Sequence, residues 1–96
     1  MRTGIELIAA ERQEQIGKHN RTIKYDVLQN PECELAYGAE KLCVPELDIY
    51  NYNAPSGWDE VLWDKMTSKS YKERLIIAGA LIAAEIDRVN IMELNK

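Results

Sequence analysis

The chain has 96 residues, of which 46% are apolar and 29% charged, and its formal net charge at neutral pH is −4. This composition is typical of a single globular domain, 1–96, which is too short to bury a large core and can gain stability by oligomerisation. The acidic balance argues against a protein that binds nucleic-acid polymers, because such proteins are usually basic.

The N-terminus leads directly into an amphipathic pattern, whereas a secretory signal needs an uninterrupted apolar stretch. The longest apolar run, 75–84, is far shorter than the roughly 20 residues that span a bilayer. We therefore expect a cytoplasmic protein with no membrane partner. Cys33 and Cys43 are expected to be unbridged and buried, and with one histidine in the chain we expect no metal site and no cofactor.

Capping signals place the first helices. Thr3 and Glu6 have the spacing of a capping box, which predicts a helix that begins there and ends at Gly17. Thr22 is predicted to cap a short helix over 23–28.

Prolines and serines place the later elements. Asn30-Pro31 predicts the start of a third helix, which ends before Pro45. Residues 44–57 lack a helical period and read as a long loop whose aromatic side chains cover the core or serve a function. Ser56 is predicted to cap a short helix that contains both tryptophans.

The last helix is the most distinctive element. Ser70 and Glu73 form a capping box that opens a helix running to about Leu94. Residues 75–84 have no polar side, and a helix that is apolar all round must be covered all round. The sequence therefore predicts an all-α, compact helical bundle with a long, apolar C-terminal helix, in a homo-oligomer whose second copy supplies part of the cover. Two apolar stripes follow this helix: Leu75, Gly79, Ile82, Ile86 and Val89, and Ile77, Leu81, Ala84 and Ile91.

A resemblance to known proteins rests on three blocks of the chain: Glu11–Ile16, Glu34–Ala39 and Arg74–Arg88. The chain resembles a family of short, largely uncharacterised helical proteins of phages, prophages and conjugative elements, notably of gut Bacteroidales. The resemblance spans most of the chain and implies a mobile-element context, not a chemistry. Many relatives carry a His-Asp pair after the first helix, where this chain has Tyr25-Asp26, so the resemblance implies no imidazole site there.

A cluster of cations at the start of the last helix suggests a binding site. A helix N-terminus favours phosphate through its free N–H groups, and arginine can contact two phosphate oxygens at once. We therefore predict a non-enzymatic protein that binds a small anionic ligand, above all a nucleotide. In a mobile element it would sequester a host immune signal, an anti-defence role. The predicted binding residues are Lys69, Lys72 and Arg74 for the phosphate, and Tyr71, Trp58 and Trp63 for stacking on a base.

Two alternatives remain open. One is a MazG-like metal-dependent nucleotide pyrophosphohydrolase, for which Glu11 and Glu14 supply one acidic pair. Its second pair is missing, because Glu85 and Asp87 project about 200° apart around a helix. We instead expect Glu85 to pair with Arg88. The other alternative is a protein–protein interaction module, and no spacing of nucleophile and base indicates an enzyme.

Overall fold

The computed structural model describes residues 1–45 and 53–94, and within these ranges the chain is helical with no strand. Its Cα radius of gyration is 13.1 Å, close to the roughly 13 Å of a compact domain of this length. The all-α, compact fold is confirmed, while residues 46–52 of the predicted loop lie outside the described ranges. The helices are α1 (Gly4–Gly17), α2 (Ile23–Gln29), α3 (Glu34–Leu42), α4 (Glu60–Thr67) and α5 (Tyr71–Leu94).

Three helices begin at the caps that the sequence predicts. The Thr3 hydroxyl accepts from the Glu6 N–H, and the Glu6 carboxylate accepts from the Thr3 N–H, which completes the capping box of α1. Thr22 caps α2 through its side chain. At α5 the Ser70 hydroxyl accepts from the Glu73 N–H at 3.2 Å and donates to the Glu73 carboxylate at 3.1 Å. These caps satisfy N–H groups that no helix can satisfy internally.

Two predicted helix starts are wrong. α3 does not begin at Pro31, because Asn30 is the C-cap of α2 and its side chain bonds Asp26 within that helix and the distant Trp58. α4 is capped by Asp59 and not by Ser56, so Trp58 lies before the helix. Asn30 has good capping chemistry but bonds other side chains, and Ser56 has it but lies before the residue that caps α4.

The core lies between α5 and the helices around it, chiefly α3. α1 crosses α5 at Gly79, where an added Cβ atom would lie 2.5 Å from the Ile8 Cδ1 atom. The close contact expected there with a second copy is therefore made within the chain. The buried apolar residues that form this core cluster are Leu35, Ala39, Leu42, Trp63, Met66, Ile77, Ala78, Leu81 and Ala84.

The two apolar stripes of α5 have different surroundings. Ile77, Leu81 and Ala84 are buried inside the chain. The other stripe is partly open: Ile8 covers it at Gly79, and its remaining four side chains are 37–56% exposed. No helix in the described ranges is long and apolar enough to cross a membrane. We call the four exposed residues Leu75, Ile82, Ile86 and Val89 the α5 stripe.

Arg88 ties α5 to the connection between α2 and α3. It donates to the two Glu85 carboxylate oxygens at 2.6 and 3.1 Å, which confirms the predicted pair. Its remaining terminal nitrogen donates to the Pro31 carbonyl at 2.9 Å. A buried guanidinium is stabilised when its N–H groups have acceptors, and here the Glu85 carboxylate and the Pro31 carbonyl supply them.

The two cysteines are free, as expected, but both are exposed, so their predicted burial is wrong. Cys33 and Cys43 lie at the two caps of α3, outside the face that this helix packs against α5.

Candidate functional site

Arg74, the predicted phosphate ligand, is a structural residue. It is 5% exposed, and its terminal nitrogens donate to the carbonyls of Leu42, Val44 and Pro45 at 2.9, 2.6 and 3.1 Å. Its Nε donates to the Lys69 carbonyl at 3.2 Å. A cation at the end of α3 is favourable because carbonyls there carry partial negative charge. These bonds would have to break before Arg74 could hold a phosphate, which argues against its predicted role.

The other predicted binding residues do not converge on one place. Trp63 is 3% exposed and belongs to the core, so it offers no face to a base. Tyr71 and Lys72 are exposed on the first turn of α5, and the Tyr71 ring lies under the Arg74 guanidinium. Lys69 pairs with Glu73 at 3.8 Å and lines a cavity.

Two adjoining cavities lie beside α4, one against α1 and α5 and the other against α2. The larger, which we call the α1 cavity, has a volume of about 470 Å³, within the range of small-molecule sites. The smaller, the Trp58 groove, has a volume of about 280 Å³. His19, Arg21 and Leu62 line both, so the two form one continuous depression.

Arg21 stands at the junction of the two cavities. Its guanidinium lies 5.4 Å from the centre of the Trp58 ring and has no hydrogen bond or ion pair among the described residues. Burial lowers the pKa of Arg21, although Tyr25 and Asp26 partly offset this. A partly desolvated guanidinium without a carboxylate partner is unfavourable by itself, and it attracts an anion strongly.

Trp58 is held rigidly beneath Arg21. Its indole N–H donates to the Asn30 side-chain oxygen at 2.7 Å, and the Asn30 amide donates to Asp26 at 3.0 Å. An added Cβ atom at Gly38 would lie 2.9 Å from the indole ring, so glycine is needed for this contact. The Trp58 and Trp63 rings pack edge to face, with their centroids 5.9 Å apart. The groove therefore has a fixed aromatic wall.

The inward face of α1 is polar where it borders the cavity. Arg12 donates to the Arg21 carbonyl at 3.1 Å, and its other terminal nitrogen lies 3.7 Å from Asp26 and 3.6 Å from Asp87. Burial raises the pKa of Asp26, while the Asn30 hydrogen bond and the charge of Arg12 lower it. The buried atoms without a hydrogen-bond partner among the described residues are Arg12 Nε and Nη2, Gln15 Nε2 and Oε1, and Asp26 Oδ2.

Glu11 and Glu14, the acidic pair of the hydrolase alternative, both line the α1 cavity. Burial and the charge of Glu14 raise the pKa of Glu11. Across the described ranges, no group of three or more His, Cys, Asp or Glu side chains is placed to hold a metal ion. The pair therefore has no complete metal site around it in that part of the chain.

The assembled site differs from the predicted one in its cationic centre, which is Arg21. One signal in the sequence points to it: from Gln15 to Tyr25 the chain carries two lysines, one histidine and Arg21 but no acidic residue. The polar wall of α1 had no such signal, because Arg12 and Gln15 look like ordinary surface residues. No protein-family model, curated protein or solved structure matches the chain.

Proposed function

We propose that the protein binds a small anionic ligand, a nucleotide, in the α1 cavity without transforming it, and that Arg21 holds the anion. The observation that carries this proposal is the half-buried Arg21 guanidinium between two connected cavities, which has no hydrogen bond or ion pair to any residue in 1–45 or 53–94. Buried arginines are usually paired, so a partly buried one that opens on a cavity without a carboxylate partner there suits an anion.

The charges around the cavity favour a small ligand over a polyanion. Three carboxylates and three cations line it, so their formal charges cancel. A ligand with one or two negative charges can contact the cations without strong repulsion from the carboxylates. The charged lining residues are Glu11, Glu14, Glu73, Arg21, Lys65 and Lys69.

Calorimetry with AMP and ATP tests the proposal. We expect the natural protein to bind AMP, and the Arg21→Met variant to bind it at least tenfold more weakly, about 1.4 kcal/mol or more, because a desolvated charge loses its partner. The matched control is Lys72→Met, which removes an exposed cation outside both cavities and should leave the Kd unchanged. Silence with both nucleotides, or an unchanged Kd in Arg21→Met, would overturn the proposal.

We also propose that the functional form is a homo-oligomer joined through the α5 stripe. These four apolar side chains are partly exposed on a 24-residue helix, with Leu75 on one side of the α1 crossing at Gly79 and Ile82, Ile86 and Val89 on the other. Exposed apolar side chains grouped on a helix in this way are typical of interaction sites. Static light scattering at micromolar concentration reports the mass, and a monomer of 11.0 kDa would contradict this part of the proposal. The same stripe would serve a partner protein if the interaction-module alternative holds.

In the mobile-element context that the resemblance implies, we propose that the bound nucleotide is a host immune signal and that binding sequesters it. The hydrolase alternative is supported by the position of Glu11 and Glu14 on the cavity wall. Magnesium-dependent pyrophosphate release from a nucleoside triphosphate, abolished by Glu11→Gln, would replace sequestration with hydrolysis.

A further inference from the structure

We propose that Gln15 selects the ligand class, by pairing its side-chain amide with the hydrogen-bonding edge of a nucleobase; this rests on the proposed binding of an anion at Arg21. Gln15 is only 4% exposed and forms part of the wall of the α1 cavity. Neither its Nε2 nor its Oε1 atom has a hydrogen-bond partner among the described residues.

An unpaired amide is costly in a buried position. Buried side-chain polar atoms nearly always have a partner, and leaving one unpaired costs more than replacing it with an apolar group of similar shape. Methionine has nearly the same length as glutamine and would fill this part of the α1–α5 contact without that cost. The amide therefore indicates a partner that enters the cavity.

The geometry relates Gln15 to the anion site. The Arg21 N–H donates to the Gln15 main-chain carbonyl at 3.0 Å, so the residue that holds the anion is fixed to the residue that carries the amide. Glu11 lies one turn before Gln15 on the same side of α1 and lines the same cavity. A ligand with its phosphate at Arg21 would thus direct its other end along α1.

The chemistry of the amide points to a base. It presents a donor and an acceptor side by side, and glutamine pairs through both with the amino group and ring nitrogen of adenine. A sugar phosphate or inorganic phosphate has no planar edge of this kind. Both amide atoms are closed to solvent in the free protein. Pairing with a base therefore requires the Gln15 side chain to rotate towards the cavity.

The test compares AMP with ribose 5-phosphate, which carries the same phosphate and sugar but no base. Calorimetry on the natural protein should give a Kd for AMP at least tenfold lower than for ribose 5-phosphate. In Gln15→Met, AMP should bind about tenfold more weakly, as expected for one lost bidentate contact. Ribose 5-phosphate should bind unchanged. Without ligand, Gln15→Met should be at least as resistant to urea as the natural protein, because it buries no unpaired amide.

The outcomes separate the two proposals. If both compounds bind the natural protein equally and Arg21→Met weakens both, the anion site stands and the role of Gln15 is refuted. If Gln15→Met weakens both compounds alike, leaves AMP binding unchanged, or unfolds more easily than the natural protein, the amide has a structural role and the inference fails. If neither compound binds, both proposals fail.

Discussion

Replacing Arg74 with methionine should destabilise the protein strongly. An arginine that served only to bind phosphate could be replaced without destabilising the fold. The guanidinium makes four hydrogen bonds to main-chain carbonyls, three of them at the end of α3. It thereby fixes the start of α5 against a segment that lies 29 to 32 residues earlier. Methionine keeps the apolar stem of the side chain and removes only these bonds.

The size of the effect follows from the bonds that are lost. Each contributes about 1 kcal/mol net, and hydrogen bonds to a charged group contribute somewhat more. Four would give about 4 kcal/mol, but the carbonyls of Val44 and Pro45 are near the surface and can regain water. We therefore expect a loss of about 3 kcal/mol, a large share of the roughly 5–14 kcal/mol available to a domain of this length.

Urea unfolding followed by far-UV circular dichroism measures this loss. Arg74→Lys should recover part of it, because lysine keeps the charge but not the planar fork. Lys72→Met, two residues away and exposed, is the control and should change stability by less than about 0.5 kcal/mol. If Arg74→Met unfolds like the control, the carbonyl contacts are not what holds this end of α5. If the Arg74→Met variant stays folded but no longer binds AMP, Arg74 and not Arg21 is the anion ligand.

Three further changes test other contacts. Gly79→Leu should destabilise the chain by about 1–3 kcal/mol through its clash with Ile8, and Ile8→Ala should relieve much of that in the double variant; additive losses in urea unfolding would exclude the contact. Burial raises the pKa of the Asp26 carboxyl above its ordinary 3.8, so the folded state binds the carboxyl proton more tightly than the unfolded state. The free energy of unfolding should therefore fall as the pH rises from 3.8 towards the higher pKa of the folded state. Asp26→Asn should therefore gain stability relative to the natural protein over that rise, and urea midpoints that differ by a pH-independent amount would contradict this. Ile82→Glu should reduce the mass measured by light scattering to that of a monomer, and an unchanged oligomer would exclude the α5 stripe as the interface.

Helix starts could be predicted from sequence where the cap is a local contact. Thr3 with Glu6, and Ser70 with Glu73, meet across three residues, so their spacing alone determines the bond. Asn30 has equally good capping chemistry, but its side-chain oxygen accepts a hydrogen bond from Trp58, which is 28 residues away. Nothing near Asn30 in the sequence indicates that contact.

The candidate site shows the same limit. Arg74 and Arg21 are equivalent as sequence features, since each stands near other cations and an aromatic residue. Long-range packing distinguishes them: the end of α3 supplies Arg74 with acceptors, and nothing in the described ranges supplies Arg21 with one. The resemblance to mobile-element proteins could not decide between them either, because it implies a context and no ligand set.

The two sides of α5 differ in the polarity of the residues that pack against them. Towards α3, the helix packs Leu81 against a fully apolar surface that includes Leu35 and Leu42, and this side supplies most of the burial that holds the fold. Towards α1, the inward residues Arg12 and Gln15 bring charge and amide groups into the contact, and Gln15 borders the α1 cavity. At Gln15 an apolar residue of similar length would avoid the cost of an unpaired amide, whereas Arg12 is needed opposite the buried Asp26 carboxylate. The α1 side of α5 is therefore the more polar of the two, with the Arg12 guanidinium facing the buried Asp26 carboxylate inside it.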